Sequence, residues 1–464
     1  MGFAGRKALS ASKLFRKATT HSSLEQTFRT HVLGTGAIGR DGQRPEQLET
    51  MWQAQSQILQ NKLRNGSYQF TSYRQKLIAK GPHSPPRVVS IATARDRVAL
   101  KALAGVLTQL FPESLTPLPQ TVVGRLASEL RVTPYDTYVR IDVKSFYPSV
   151  SHFALRSLLW PKVRQVGLRS ILMRAISTPT VALGAPHPAH SNIQGVPQGL
   201  PISNLLAEIA MSPVDQAMQG SPECAYFRFV DDILVLCPKE AAVSTYESIR
   251  DKLASTNLQV HGIAAGSKSE IGAIADGFDY LGYNFGDTKI GVRDSSVKKL
   301  ENTLVRHFTS YKYELAKKGG TSWQHLHQEV LLRRLNITIA GCVYEGVPRG
   351  WIHFFSQSND MHLLARLDAY VSRLSARFNL PEEFTPKRFV RAYWHVSKPN
   401  ASTKRYIINF DRYTDGEKRA FLQSLFPAQI SQLSVASAAE LRKRFRVEVR
   451  KIVKGLEMDV SEVS

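Results

Sequence analysis

The stretch Phe227–Cys237, FRFVDDILVLC, constrains this chain more than any other. Two apolar runs with strand character flank the pair Asp231-Asp232, so the segment reads as a β-hairpin with adjacent negative charges at its tip. A two-residue hairpin turn ordinarily takes Asn-Gly or Asp-Gly, because its central residues need positive φ. Two neighbouring carboxylates repel each other there unless a cation stands between them. Taken alone, such a pair is usually a solvated turn. A second stretch changes the context. In TYVRIDVKSFYPSV, Asp142 follows Val139 and Ile141 at strand alternation, which puts it at a strand end and not in a buried middle. With strand and hairpin as neighbours in one sheet, three carboxylates converge at one edge. Hard oxygen ligands of this kind suit Mg²⁺. Two such ions can activate an attacking 3′-hydroxyl and stabilise a leaving pyrophosphate.

The charge balance agrees with a polyanionic partner. The 464 residues carry 61 Lys and Arg against 38 Asp and Glu, a net +23, and such an excess points first to nucleic acid. Apolar content of 43% is that of a globular protein and excludes general disorder. Cys224, Cys237 and Cys342 form no C-x-x-C pair, which argues against a zinc ribbon or a disulfide-stapled secreted fold and for a reducing, cytoplasmic compartment. No apolar stretch is long enough to span a bilayer, so no membrane partner is expected.

Periodicity gives an α+β pattern of helices around a small sheet. Residues 45–64 read as a helix stopped at Asn65-Gly66, and residues 67–93 as a hairpin with a Gly-Pro-rich tip at 81–86. Residues 153–178 and 201–218 read as helical around a proline-rich loop at 179–197. Hairpins are expected near 226–237 and 278–292, and a mostly helical, basic chain from 295 onward.

These segments resemble the polymerase motifs of reverse transcriptases. IDVKSFYPSV resembles motif A, GVPQGLPISNLLAEIAM motif B and FRFVDDILVL motif C, while GSKSE and FDYLGYNF are similar to motif D and the primer grip. GRDGQRPEQLE, LRNGSYQFTSYRQKLIAKG and RVVSIATARDRVALKAL resemble fingers segments of bacterial enzymes of the group II intron, retron and defence-associated kind. The resemblance covers about residues 34–290. It implies a right-hand polymerase: a basic arm at 1–33, fingers at 34–135, a palm with a small antiparallel sheet at 136–290 (with fingers helices at about 153–190), a helical thumb at 291–380 and a basic helical extension at 381–464.

Residue by residue, the resemblance implies that Asp142, Asp231 and Asp232 hold two Mg²⁺ ions (or Mn²⁺), with the Val143 carbonyl as a further ligand. Tyr147, beside Phe146, matches the steric gate that collides with a ribose 2′-OH. No acidic residue stands between Lys144 and Tyr147 to accept that hydroxyl, which argues for DNA synthesis. Gln198 and Gly199 match the loop under the incoming nucleotide, Lys80 and Arg87 the cations that clamp the triphosphate, and Lys268 a general acid for pyrophosphate. Departures are Ser203-Asn204, closest to the abortive-infection and defence-associated groups, and Phe229 where a tyrosine is common.

The implied function is RNA-directed DNA polymerisation from dNTPs on an RNA template, yielding DNA. An antiphage role with a dedicated noncoding RNA, a protein partner or a homo-oligomer is expected. An intron maturase aiding RNA splicing is the same-fold alternative, and a catalytically silent RNA-binding scaffold the alternative from another class. In the C-terminal third, Leu363, Leu364, Leu367, Tyr370, Val371, Leu374 and Phe378 share a helix face opposite Arg366, Arg373 and Arg377. Those arginines serve phosphates or a solvated face. Trp323, Trp351 and Trp394 are expected to be buried more readily than to stack on bases.

Overall fold

Amphipathic spacing begins at the first helix. Residues 10–33, expected as a basic arm, fold: Ala11–Ala18 buries Ala11, Leu14 and Phe15 while Lys13, Arg16 and Lys17 face solvent. The computed structural model describes residues 10–79, 85–132, 135–186, 190–221, 223–264, 266–286, 289–318, 321–398, 406–426 and 429–460. The chain forms two compact units, one of residues up to Pro117 with Tyr138–Ile271, the other of Leu118–Thr137 with Gly272–Ser464. These units cut across the boundaries expected at 135 and 290.

In the first unit, the helix expected over 45–64 is two, Pro45–Thr50 and Trp52–Arg64, broken at Met51. Strands β1 (Tyr73–Ile78) and β2 (Arg87–Ile91) form the expected antiparallel hairpin, with Arg74 opposite Ile91 and Ile78 opposite Arg87. Strand β3 spans Thr137–Asp142, and β4, Thr180–Val181, adds to β1 in parallel. The chain between them forms two helices, His152–Leu159 and Val166–Ser177, and not one. Strands β5 (Ala225–Phe229), β6 (Asp232–Cys237) and β7 (Glu270–Ala273) complete a four-stranded sheet of order β5-β6-β3-β7. Strand β6 is buried along its whole length, which its unbroken apolar run required. The order makes β3 and β6 neighbours, so the strand ending in Asp142 lies beside the strand beginning with Asp232.

The second unit departs further from expectation. The hairpin expected at 278–292 is a three-stranded meander, β8 (Phe278–Tyr280), β9 (Tyr283–Phe285) and β10 (Ile290–Val292). The thumb and extension, both expected to be helical, share a small sheet of β11 (Cys342–Tyr344), β12 (Val347–Arg349) and β13 (Ile408–Asn409). Such strands are too short for period-two alternation to register in the sequence. The turn between β11 and β12, Glu345-Gly346, has φ of 53° and 72°, the doubly positive pair a tight hairpin demands. The helix Met361–Arg377 buries Leu363, Leu364, Leu367, Val371 and Leu374, and Arg366, Arg373 and Arg377 face solvent. No helix among the described residues is long and apolar enough to cross a membrane.

Two buried histidines tie the second unit's stability to pH. His307 lies 2.9 Å from Thr338 Oγ1, and burial with the charges of Arg334 and Arg306 pushes its pKa down to about 4. Burial likewise pushes His353 down to about 4. Unfolded imidazoles titrate near 6.5, so the unfolded chain binds the extra protons and stability falls as pH falls through that window. From pH 7 to 5 each imidazole is expected to cost about 2 kcal/mol. Urea unfolding of the full chain should show this slope, and His307→Gln with His353→Gln should flatten it; an unchanged slope in the double variant rejects the assignment.

Candidate active site

The end of β3 is fixed by its backbone. The Asp142 N–H donates to Ser269 Oγ at 3.2 Å, and the Asp142 carbonyl accepts from the His261 N–H at 3.1 Å. The Lys144 N–H donates to the Gln259 carbonyl at 2.7 Å. These two bonds bracket the antiparallel Val143–Val260 bridge, a pattern that turns the Val143 carbonyl away from the Val260 segment. The Asp142 carboxylate lies 3.3 Å from His261 Nε2 and 3.6 Å from Lys268 Nζ.

Asp232 opens β6 and is buried. Arg140 Nε and Nη2 donate to its two oxygens at 3.3 and 3.2 Å. Arg140 stands two residues before Asp142, hence on the same face of β3. The Asp232 carboxyl is pushed up to about 6, first by burial, with Arg140 opposing and the charges of Asp231 and Asp142 adding to the rise. That mutual effect places the three carboxylates in one electrostatic neighbourhood. Among the described residues no three His, Cys, Asp or Glu side chains are grouped as a ready-made metal cage. Protein side chains engage the carboxylates instead: Arg140 holds Asp232, and the His261 ring and Lys268 flank Asp142. The donors suit a hard divalent cation in kind, being carboxylate oxygens whose repulsion such an ion relieves. To ligate one they must turn from these partners.

The hairpin tip differs from expectation by one residue. Phe229 pairs with Asp232 across the ladder, so the central turn residues are Val230 and Asp231, and Asp232 already belongs to the strand. Val230 has φ of 58°, a left-handed conformation costly for a β-branched residue, at about 1–3 kcal/mol. Arg228 supports it by donating from Nη1 to the Val230 carbonyl at 2.8 Å. The same buried guanidinium binds Asp215 Oδ1 through Nε at 2.7 Å and lies 2.8 Å from Glu208 Oε2. Both acids project from the helix Ser203–Met218, and the Tyr226 hydroxyl donates to Asp215 at 3.0 Å. Sequence reasoning missed Arg140, His261 and this cluster. The signals were present: Arg140 and Arg228 alternate with apolar strand residues, and Glu208 and Asp215 are two helical turns apart.

Tyr147 meets the site from another side. Its hydroxyl donates to Asn204 Oδ1 at 2.7 Å, and its pKa is raised by burial and by the charges of Asp231 and Glu208, with Arg87 opposing. Tyr147, Asp231 and Arg87 therefore lie within electrostatic reach of one another. Phe146, expected at the nucleotide, is buried in the core and packs edge-on against the Tyr147 ring at 5.4 Å, so it braces that ring and offers no open face of its own. The Gln198 carbonyl accepts from the Ser90 N–H of β2 at 2.7 Å. Gly199 has φ of +97°, and a Cβ there would stand 2.7 Å from Val89 Cγ1. Only glycine allows that approach. Lys80, the other expected clamp, lies outside the described residues.

Residues 78–285 match the family model described as reverse transcriptase (RNA-dependent DNA polymerase). Protein YkfC of Escherichia coli (strain K12) is 22% identical over 330 residues, 60% of this chain and 83% of that protein. Among solved structures, apo telomerase from Candida Tropicalis, truncated from its C-terminal domain, is similar at a TM-score of 0.36 and 13% identity. That likeness covers 52% of this chain and 60% of the telomerase chain.

Removing the Arg228 guanidinium leaves buried Glu208 and half-buried Asp215 without their shared cation, so Arg228→Gln is expected to cost about 3 kcal/mol in urea or thermal unfolding. Adding Glu208→Gln and Asp215→Asn should recover much of that loss. A stability of Arg228→Gln equal to the wild type overturns this account of the turn.

Proposed function

We propose that this protein is an RNA-directed DNA polymerase that adds dNTPs to a 3′-hydroxyl, and that Asp142, Asp231 and Asp232 are its metal-binding carboxylates. The observation that supports this is the sheet edge, where the strand ending in Asp142 lies beside the strand that begins with Asp232, next to Asp231 in the turn. In this reading the sheet β5-β6-β3-β7 is the palm, the β1–β2 hairpin belongs to the fingers, and the helices after β10 form the thumb. Bound Mg²⁺ would lower the pKa of the attacking hydroxyl and neutralise charge on the leaving pyrophosphate.

The chain's own residues do the rest. Tyr147, braced by Phe146 and bonded to Asn204, closes the space a ribose 2′-OH requires and so favours deoxynucleotides. Gln198 and Gly199 floor the pocket against β2, and Arg87, at the tip end of the β1–β2 ladder, is the cation for the triphosphate. Lys268, exposed and hydrogen-bonding distance or slightly more from Asp142, is placed to turn toward pyrophosphate and protonate it. The strong positive charge fits an RNA template and a growing DNA strand. We assign the enzyme to bacterial antiphage defence with a noncoding RNA or protein partner, on the Ser203-Asn204 departure in motif B.

A second reading, a silent RNA-binding scaffold, has one observation in its favour: Arg140, His261 and Lys268 already engage the carboxylates. Template-dependent dNTP incorporation by the wild type separates the two. Asp231→Asn with Asp232→Asn should abolish incorporation while leaving RNA binding and the folded far-UV spectrum in place; normal incorporation by that variant refutes the site. Tyr147→Ala should raise ribonucleotide incorporation at least about tenfold relative to dNTPs, a loss of about 1.4 kcal/mol in discrimination. Unchanged discrimination means that another residue gates the sugar.

A further inference from the structure

The polymerase reading leaves one feature of the second unit unused. The helix Phe389–Ser397 with its flanking residues carries Arg388, Arg391, Trp394 and Lys398 at spacings of three, three and four, which lines them along one helix face over about 15 Å. All four are exposed, and Trp394, expected to be buried, is 47% exposed. By contrast Trp351 is fully buried. A tryptophan left open between cations is an unusual use of the largest apolar side chain.

What lies behind this face is rigid and positively charged. The Trp394 ring meets His395 edge-on at 5.2 Å, and His395 stacks on Tyr406 at 4.5 Å. Lys387 Nζ and the Arg391 guanidinium sit over the same Tyr406 ring at 4.8 and 5.2 Å. Lys387 also donates to the Tyr406 carbonyl, and the Arg388 N–H donates to the Tyr406 hydroxyl at 3.1 Å. Asp368 caps the helix start through the Phe389 N–H and pairs with Arg388 Nε at 3.3 Å. Burial, with the neighbouring Arg333 adding to it, pushes Lys387 down to about 8.

We propose that this face binds single-stranded nucleic acid, with one base stacked on Trp394 and the flanking phosphates on Arg391, Lys398 and Arg388. The pattern is that of a stacking platform inside an electrostatic track: the ring supplies sequence-tolerant stacking, and the cations follow the backbone. A net charge of +23 favours this occupant over a neutral or basic protein. The site stands apart from the carboxylates in sequence and in role, and binding does not depend on polymerisation.

The test uses the full chain and short fluorescent single strands of mixed sequence, one RNA and one DNA, read by anisotropy across a salt series. Trp394→Ala is expected to weaken binding of at least one probe by about 5- to 100-fold, the worth of one stacked base, and Trp394→Phe to restore most of it. Arg391→Gln with Lys398→Gln should lower the slope of log affinity against log salt by about 1.4, two phosphate contacts on a single strand. Whichever probe responds identifies the strand. If these variants bind both probes as the wild type does, with the same slope, the proposal is wrong. It is also wrong if poly-glutamate, and neither oligonucleotide, depends on Trp394, for the face then serves an acidic protein. Because the readout is binding, a protein inactive with dNTPs still decides the question.

Discussion

The buried guanidinium of Arg228 is the interaction on which the site depends. A β-branched residue does not take φ of 58° unaided, and without that turn Asp232 would not begin its strand opposite Phe229. Arg228 binds the turn carbonyl with one nitrogen and two helix acids with the others, so strand, turn and the helix Ser203–Met218 are fixed against one another by one side chain. Burying Arg228 and Glu208, with Asp215 partly covered beside them, costs much desolvation, and the pairing and hydrogen bonds offset it only while all three remain. The benefit is a defined position for the aspartates more than net stability.

A second consequence concerns charge at the sheet edge. The carboxylates lie in a protein with a large cationic excess, and Arg140, Lys268 and the His261 ring engage them. Such pairs need not oppose metal binding. They keep the acids oriented on β3 and β6, and being partly exposed, Lys268 and His261 can leave at modest cost. Arg140 is different, since it approaches Asp232 with two nitrogens from the adjacent strand. Its place fixes both oxygens of Asp232 against the adjacent strand.

Much of this was legible in the sequence, and the reasons differ by element. Strands β3, β5 and β6 announce themselves through apolar alternation or an unbroken apolar run, and the position of Asp142 at a strand end followed from that. The turn was misplaced by one residue because hairpin rules expect positive φ on Asp or Gly, and here tertiary bonds impose it on Val230. Phe146 was assigned to the nucleotide because motif position carries no information on which way a ring points. Cross-element partners such as Arg228 with Glu208 and Asp215 depend on packing angles between strand and helix, which periodicity does not encode. The basic first helix looked like an arm because charge was weighed ahead of the apolar stripe of Ala11, Leu14 and Phe15. Strands β11 to β13, of two or three residues, left no pattern to find.

The contact between Gly199 and β2 has a mechanical meaning. The Ser90 N–H to Gln198 carbonyl bond ties the loop to the hairpin through backbone atoms, and the bare Gly199 lets the Val89 methyl close in beside it. A side chain at Gly199 would need both a left-handed backbone and a retreat of that methyl, so this seam admits change through the residues around it and not at the glycine itself.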